Sequence, residues 1–276
     1  CSPQTSFSVL PGPPEELKMM FEESIAPYLA GLNHQVICSK TVKICGMGES
    51  RVADAVSDLI DAQTNPTIAT YAKGGEVHLR ITASGSDSKA ARKSIKPIVK
   101  ELKHRFGEKV YTTRESETLE QHVVGLLKRR KMTVATAESC TGGLIASTIV
   151  NVPGASEVFN EGYITYSNEA KQKILSVKKK TLKKDGAVSE NCAAEMAKGA
   201  AKAAGARAAI SVTGIAGPDG GTEEKPVGLV YIGCCIDGKV WVESYHMNGD
   251  RQKVREISVK KALDMLRRHL NHVEQD

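Results

Sequence analysis

Apolar positions along this chain recur with a period of two in some stretches and of three to four in others, and the order of these stretches marks off three segments. Near the start, Val9-Leu10 reads as a short strand, Pro11-Gly12-Pro13-Pro14 as a rigid turn, and the residues after it as a helix with Glu15 and Glu16 at its positive end. One strand and one helix cannot bury a core, so residues 1–35 read as the residual end of another domain and need a partner surface. From Val36 the pattern predicts strand, helix, strand, strand, helix, strand. The strand Val36–Ile44 leads to a helix with Val52, Ala55, Val56, Leu59 and Ile60 on one face. A hairpin of Thr67–Ala72 and Glu76–Ala83 turns at Lys73-Gly74-Gly75. A helix opening near Asp87 then buries Ile95, Ile98, Val99, Leu102 and Phe106, and Lys109–Thr112 closes a small α/β sandwich over 36–113.

The third segment, 114–276, begins with an amphipathic helix carrying Leu119, Val123, Leu126 and Leu127. Strands are predicted at Met132–Ala137, Gly162–Tyr166, Arg207–Thr213, Val227–Ile236 and Val240–His246, and helices near 143–150, 168–175, 189–204 and 251–270. The last helix has Val254, Ile257, Ala262, Leu263, Leu266 and Leu270 on one stripe and Asp250 at its cap. Strands and helices that alternate first and end in a hairpin imply a mixed sheet with helices on both faces, a three-layer α/β/α domain.

Length and composition narrow the function classes. A chain of 276 residues is long enough for two domains. Residues 36–113 hold thirteen bases against eight acids, an excess that could meet phosphate or nucleic acid. However, Lys89, Arg92, Lys93, Lys96, Lys100 and Lys103 fall on the polar face of one predicted helix, which reads as a solvated face. Lys178-Lys179-Lys180 reads as a solvated turn. Aromatic content of 4% disfavours base stacking, so a nucleic-acid partner is not expected. Seven cysteines without a CxxC spacing argue against a disulfide framework and a zinc site, and place the chain in a reducing compartment, the cytoplasm. No run of ~20 apolar residues predicts a membrane span, and a first residue Cys1 in place of Met predicts a segment upstream.

Three glycine-rich turns follow predicted strands: Glu138-Ser139-Cys140-Thr141-Gly142-Gly143, Tyr166-Ser167-Asn168-Glu169-Ala170-Lys171, and Thr213 to Gly221. If those strands are parallel neighbours, the turns open on one rim, where α/β sheets bind ligands. Ser139 is placed to be a nucleophile before a helix start that could hold a phosphate or an oxyanion; equally, Ser139 or Thr141 could simply cap that helix. The seven histidines lie outside the three turns, so Lys171, deprotonated by burial, is the candidate base, with Tyr166 to relay a proton or hold it, and a solvated lysine as the alternative. Cys140 ranks below Ser139. Thr213 and Gly214 offer a hydroxyl and an amide, and Cys234 and Cys235 point to opposite faces of a strand. No metal and no cofactor is expected.

Taken together, Ala137 to Gly143, Tyr163, Thr165 to Lys171, Gly186-Ala187-Val188-Ser189-Glu190, Thr213 to Gly221, Lys225-Pro226-Val227-Gly228 and Gly249-Asp250-Arg251 resemble the carboxy-terminal domain of the CinA (competence-damage-inducible) family, also known as the nicotinamide mononucleotide deamidase PncC. The front of the chain is similar to the longer members, in which a molybdopterin-binding-like domain, here largely missing, precedes a small KH-type domain. Gly46-Met47-Gly48 is not the GxxG loop of nucleic-acid-binding KH domains. The resemblance implies hydrolysis of nicotinamide mononucleotide to nicotinic acid mononucleotide and ammonia, with Ser139, Lys171 and Tyr166 catalytic and Glu138, Thr141, Gly142, Gly143, Tyr163, Thr213, Gly214 and Arg251 around the substrate. It also implies a homo-oligomer. The alternative is a catalytically inactive CinA-like protein that binds nucleotide or nucleic acid.

Overall fold

Two sheets, built from the runs of period two, organise the chain. The computed structural model describes residues 8–32 and 35–272, so Cys1 and His34 lie outside the described residues. Helix α1 (Pro14–Met20) starts on proline, whose fixed φ suits a first helical position, and passes through a π-helical turn (Phe21–Ile25) into α2 (Ala26–Leu32). None of its side chains is buried, and Leu17, Phe21, Tyr28, Leu29 and Leu32 are exposed. Val9 and Leu10 form no strand, since no strand among the described residues shares their backbone hydrogen bonds.

The first sheet contains β1 (Val36–Cys45), β2 (Thr67–Lys73), β3 (Glu76–Gly85) and β4 (Val110–Thr112) in the order β2-β3-β1-β4, all antiparallel. Val42, Ile44, Leu79 and Ile81 pack on one face against α3 (Glu49–Asp54), α4 (Ser57–Asp61) and α5 (Ser88–Phe106). The Asp87 carboxylate caps α5 by accepting from the Ala90 N–H at 2.7 Å. The single helix expected over Val52–Ile60 is two helices, broken where Val56 leaves helical geometry at φ −124°, ψ 8°. Val52 and Val56 are both fully buried across the break.

The second sheet has the order β6-β5-β7-β8-β9, with β5 (Val134–Glu138), β6 (Phe159–Ile164), β7 (Ala208–Gly214), β8 (Leu229–Ile236) and β9 (Lys239–His246). Its helices are α6 (Leu119–Arg129), α7 (Leu144–Val150), α8 (Asn168–Leu175), α9 (Lys179–Lys184), α10 (Glu190–Ala203) and α11 (Arg251–Asn271). Alternate strand residues feed two cores. Val134, Ile210, Ile232 and Cys234 meet α6, α7 and α11, while Ala135, Ala137, Ala209 and Cys235 meet α8 and α10. This is a three-layer α/β/α sandwich. The lysines at 178–180 are exposed but open α9 rather than a turn, since Thr181 is buried and its hydroxyl donates to Glu195 at 3.0 Å.

Strand β5 runs parallel to both β6 and β7. From β5 the chain passes to β6 on one side, then crosses through α8, α9 and α10 to β7 on the other. The carboxyl end of β5 is therefore the switch point of the sheet, where a crevice must open. Cys45 and Tyr111 of the first sheet pack into the core of the second, and polar contacts also join the two. Lys43 Nζ donates to the carbonyls of Glu115 and Glu117 at 2.7 and 2.8 Å, and Lys260 pairs with Glu76 at 2.9 Å.

Candidate active site

Ser139 is the first residue past β5, held by its N–H on the Val212 carbonyl at 2.9 Å. A tight turn follows, closed by the Gly142 N–H on the Ser139 carbonyl at 3.1 Å. Gly142 and Gly143 adopt φ of 61° and 93°, the left-handed region that glycine enters without strain. The cap of α7 is supplied by neither Ser139 nor Thr141. Glu138, at 1% exposure, receives the N–H groups of Gly143, Ile145 and Ala146 at 3.0, 3.0 and 2.8 Å. Its carboxylate thus satisfies and neutralises the helix start, which corrects the expectation that Gly142 and Gly143 offer free amides to a phosphate. Ser139 keeps its hydroxyl unspent on the backbone.

Lys171 lies in the first turn of α8, whose cap is Ser167, accepting from the Ala170 N–H at 3.0 Å. The lysine is 1% exposed, so its side chain turns inward across the tip of β6 rather than into solvent. Its Nζ lies 3.0 Å from Ser139 Oγ, 2.8 Å from the Thr165 carbonyl and 3.3 Å from the Tyr166 carbonyl. Burial lowers its pKa below the ordinary lysine value, with only the nearby Cys192 and Cys140 thiols acting the other way. A neutral amine has two N–H bonds and one lone pair. An ammonium here donates to Ser139 Oγ and both carbonyls; a neutral amine would give its two hydrogens to the carbonyls and turn its lone pair to the Ser139 hydroxyl.

Tyr166 holds Lys171 through its backbone and not through its ring. Tyr166 is 62% exposed, and its phenol oxygen accepts from Arg251 Nη2 at 3.2 Å. Arg251, first residue of α11 behind the Asp250 cap, also donates to the Gly217 carbonyl at 2.8 Å and so ties the third turn to the second. Tyr163 points its hydroxyl to Glu161 on its own strand, and no hydrogen bond joins it to Ser139 among the described residues. The Thr213 hydroxyl is spent on the Ala187 carbonyl at 2.8 Å. Gly214 is better placed. Because the Ile215 N–H bonds the Leu229 carbonyl toward β8, the preceding Gly214 N–H faces the other way, toward β5 and Ser139. Thr141 Oγ1, fully buried beside the turn, has no partner among the described residues.

Sequence reasoning missed Arg255. Its Nε and Nη2 donate to the carbonyls of Cys140 and Thr141 at 3.1 and 2.8 Å, bracing the turn that carries Ser139. Its one signal was the four-residue spacing from Arg251, which puts both guanidinium groups on one face of α11. Together with Leu144, Gln252 and Glu256 they line a cleft of about 340 Å³. Cys140 is no rival to Ser139, since burial pushes its thiol up to about 11.

Comparison with known proteins places the chain in a family. The CinA C-terminal domain matches residues 116–270 and the KH domain of damage-inducible protein CinA matches residues 39–112. The chain belongs to the CinA family. It is 56% identical over 264 residues to a competence-damage inducible protein of Clostridium novyi, covering 96% of this chain and 64% of that one. A CinA-like protein of Kosmotoga olearia is 53% identical over 262 residues, covering 95% and 63%. The chain thus spans under two thirds of the length of these relatives. Among solved structures, a CinA superfamily protein of Klebsiella pneumoniae superposes with a TM-score of 0.55 at 35% identity, covering 56% of this chain and 97% of that one. The competence/damage inducible protein CihA of Agrobacterium tumefaciens gives 0.54 at 41%, covering 56% and 94%.

Proposed function

We propose that this CinA protein is an amidohydrolase that converts nicotinamide mononucleotide to nicotinic acid mononucleotide and ammonia. The observation that carries the reading is a buried amine, Lys171 Nζ, 3.0 Å from a serine hydroxyl at the switch point of the sheet, where burial favours its uncharged form. Ser139 Oγ attacks the carboxamide carbon as Lys171 takes its proton. The oxyanion gathers the Gly214 N–H, which faces the tip of β5. Lys171 then returns the proton to the departing nitrogen, ammonia leaves, and an acyl-serine remains. Water attacks that ester, gives its proton to Lys171, and the serine is released with the acid product. Arg251 and Arg255 on the rim take the phosphate, Tyr166 stands beside Arg251 over the ring, and Thr141 Oγ1 offers a buried hydroxyl to the amide. Glu138 acts through α7 as a positioning residue.

Ammonia release from nicotinamide mononucleotide, with free nicotinamide as control, tests the reading. Ser139→Ala and Lys171→Ala are each expected to lower kcat by about 10³-fold or more while the thermal transition is kept. Turnover that survives both substitutions contradicts the mechanism.

A further inference from the structure

Outside the site, the first sheet carries a groove of about 620 Å³ between α5 and β1, lined by Ser39, Lys40, Arg92, Ile95, Lys96, Val99, Lys100 and Lys103. Five of the eight are cations, none is an acid, and none of the five has an ion-pair partner among the described residues. Arg92 with Lys96, and Lys96 with Lys100, stand four apart on the helix, a spacing at which like charges repel and cost stability. The floor between them is apolar, Ile95 and Val99.

The opposite wall of the groove is an unfinished sheet. Strand β4 pairs with β1 only at Lys43 and Ile44, and from Val36 to Val42 no strand flanks β1 on that side among the described residues. Alternate N–H and C=O groups of that stretch face outward, a template for a further strand. Spacing makes the two walls commensurate. Cations four residues apart on α5 repeat every ~6 Å, while side chains on one face of an extended strand repeat every ~7 Å.

We propose that the groove binds an extended acidic peptide segment, which adds as a strand to the free edge of β1 and directs alternate carboxylates at Arg92, Lys96, Lys100 and Lys103. A single-stranded nucleic acid would meet the same charges, but no aromatic side chain lines the groove to stack a base, and a sugar–phosphate backbone has no N–H groups with which to continue the β ladder.

Fluorescence anisotropy with the full chain at low salt tests this, using a short labelled peptide that alternates Glu and Val. Binding is expected, and it should weaken by at least about tenfold in the double variant Lys96→Glu/Lys100→Glu, because like charges then face each other. Both lysines are exposed, so the thermal transition should be unchanged; Lys40→Glu, on the strand wall, checks the same contact should the double variant fold poorly. N-methylation of alternate peptide amides should abolish binding. The proposal is overturned if the peptide does not bind, if neither the charge reversals nor N-methylation weakens it, or if a single-stranded RNA of equal charge binds more tightly.

Discussion

Lys171 and Arg255 show how single side chains reach one point from distant parts of the chain. The lysine was legible in the sequence because it stands in a turn with Tyr166 and Ser167, and the structure turns it inward to Ser139. Arg255 was not legible, because it meets the Cys140 carbonyl across 115 positions and nothing local in α11 announces that contact. The role of Glu138 was hidden for a related reason: a carboxylate at a strand end reads as substrate-facing until the three amides it accepts are seen. Arg255→Gln removes both charge-assisted bonds that brace the turn carrying Ser139, leaving at most one neutral amide hydrogen bond in their place. Steady-state kinetics should show kcat/KM lower by about 10- to 100-fold, since small displacements of a reacting group are costly. An unchanged kcat/KM would remove Arg255 from the site.

Among the elements, α8 matters most, since its seating against α10 decides where Lys171 points. Gly199 of α10 is the contact. A Cβ there would lie 2.0 Å from the Leu175 carbonyl oxygen, backbone that cannot step aside. Gly199→Ala should force the two helices apart, lowering stability by about 1–3 kcal/mol in denaturant titration and lowering ammonia release with it. Wild-type melting and turnover would show that the helices tolerate the gap. Element boundaries were legible where a local cap fixes them, as at Asp87 and Asp250, whose side chains accept from Ala90 and Lys253. They drifted where pairing decides. The strand expected at Gly162–Tyr166 is Phe159–Ile164, because β6 takes its register from β5, Phe159 opposite Val134, and this leaves Tyr166 beyond the strand to serve the site.

At the scale of the molecule, the α/β/α layering followed from the order of strands and helices, but the joint between the two sheets did not, because beside Cys45 and Tyr111, which pack into the core of the second sheet, it is held by polar residues that read individually as surface. Glu76 is 7% exposed, on β3, and accepts from Tyr111 at 2.5 Å and pairs with Lys260 of α11. Burial alone would raise its pKa, but the His78 hydrogen bond and the Lys260 charge hold it at about 2. A carboxylate depressed in the folded state contributes stability above its unfolded value of ~4.3 and loses it as pH falls toward the folded value. Glu76→Gln should therefore cost about 3 kcal/mol at pH 7, and the difference from wild type should shrink between pH 4 and pH 2, as followed by urea titration. A difference independent of pH would mean that the pair does not hold the joint.

The account rests on an uncharged amine at Lys171, and its titration is the most direct test. With ¹³C-labelled lysine, the Lys171 Cε resonance can be assigned by its absence in Lys171→Met and followed against pH. The account predicts a midpoint below the ~10.4 of an ordinary lysine. A midpoint at or above that value would mean that the site does not favour the uncharged amine, and would contradict the mechanism.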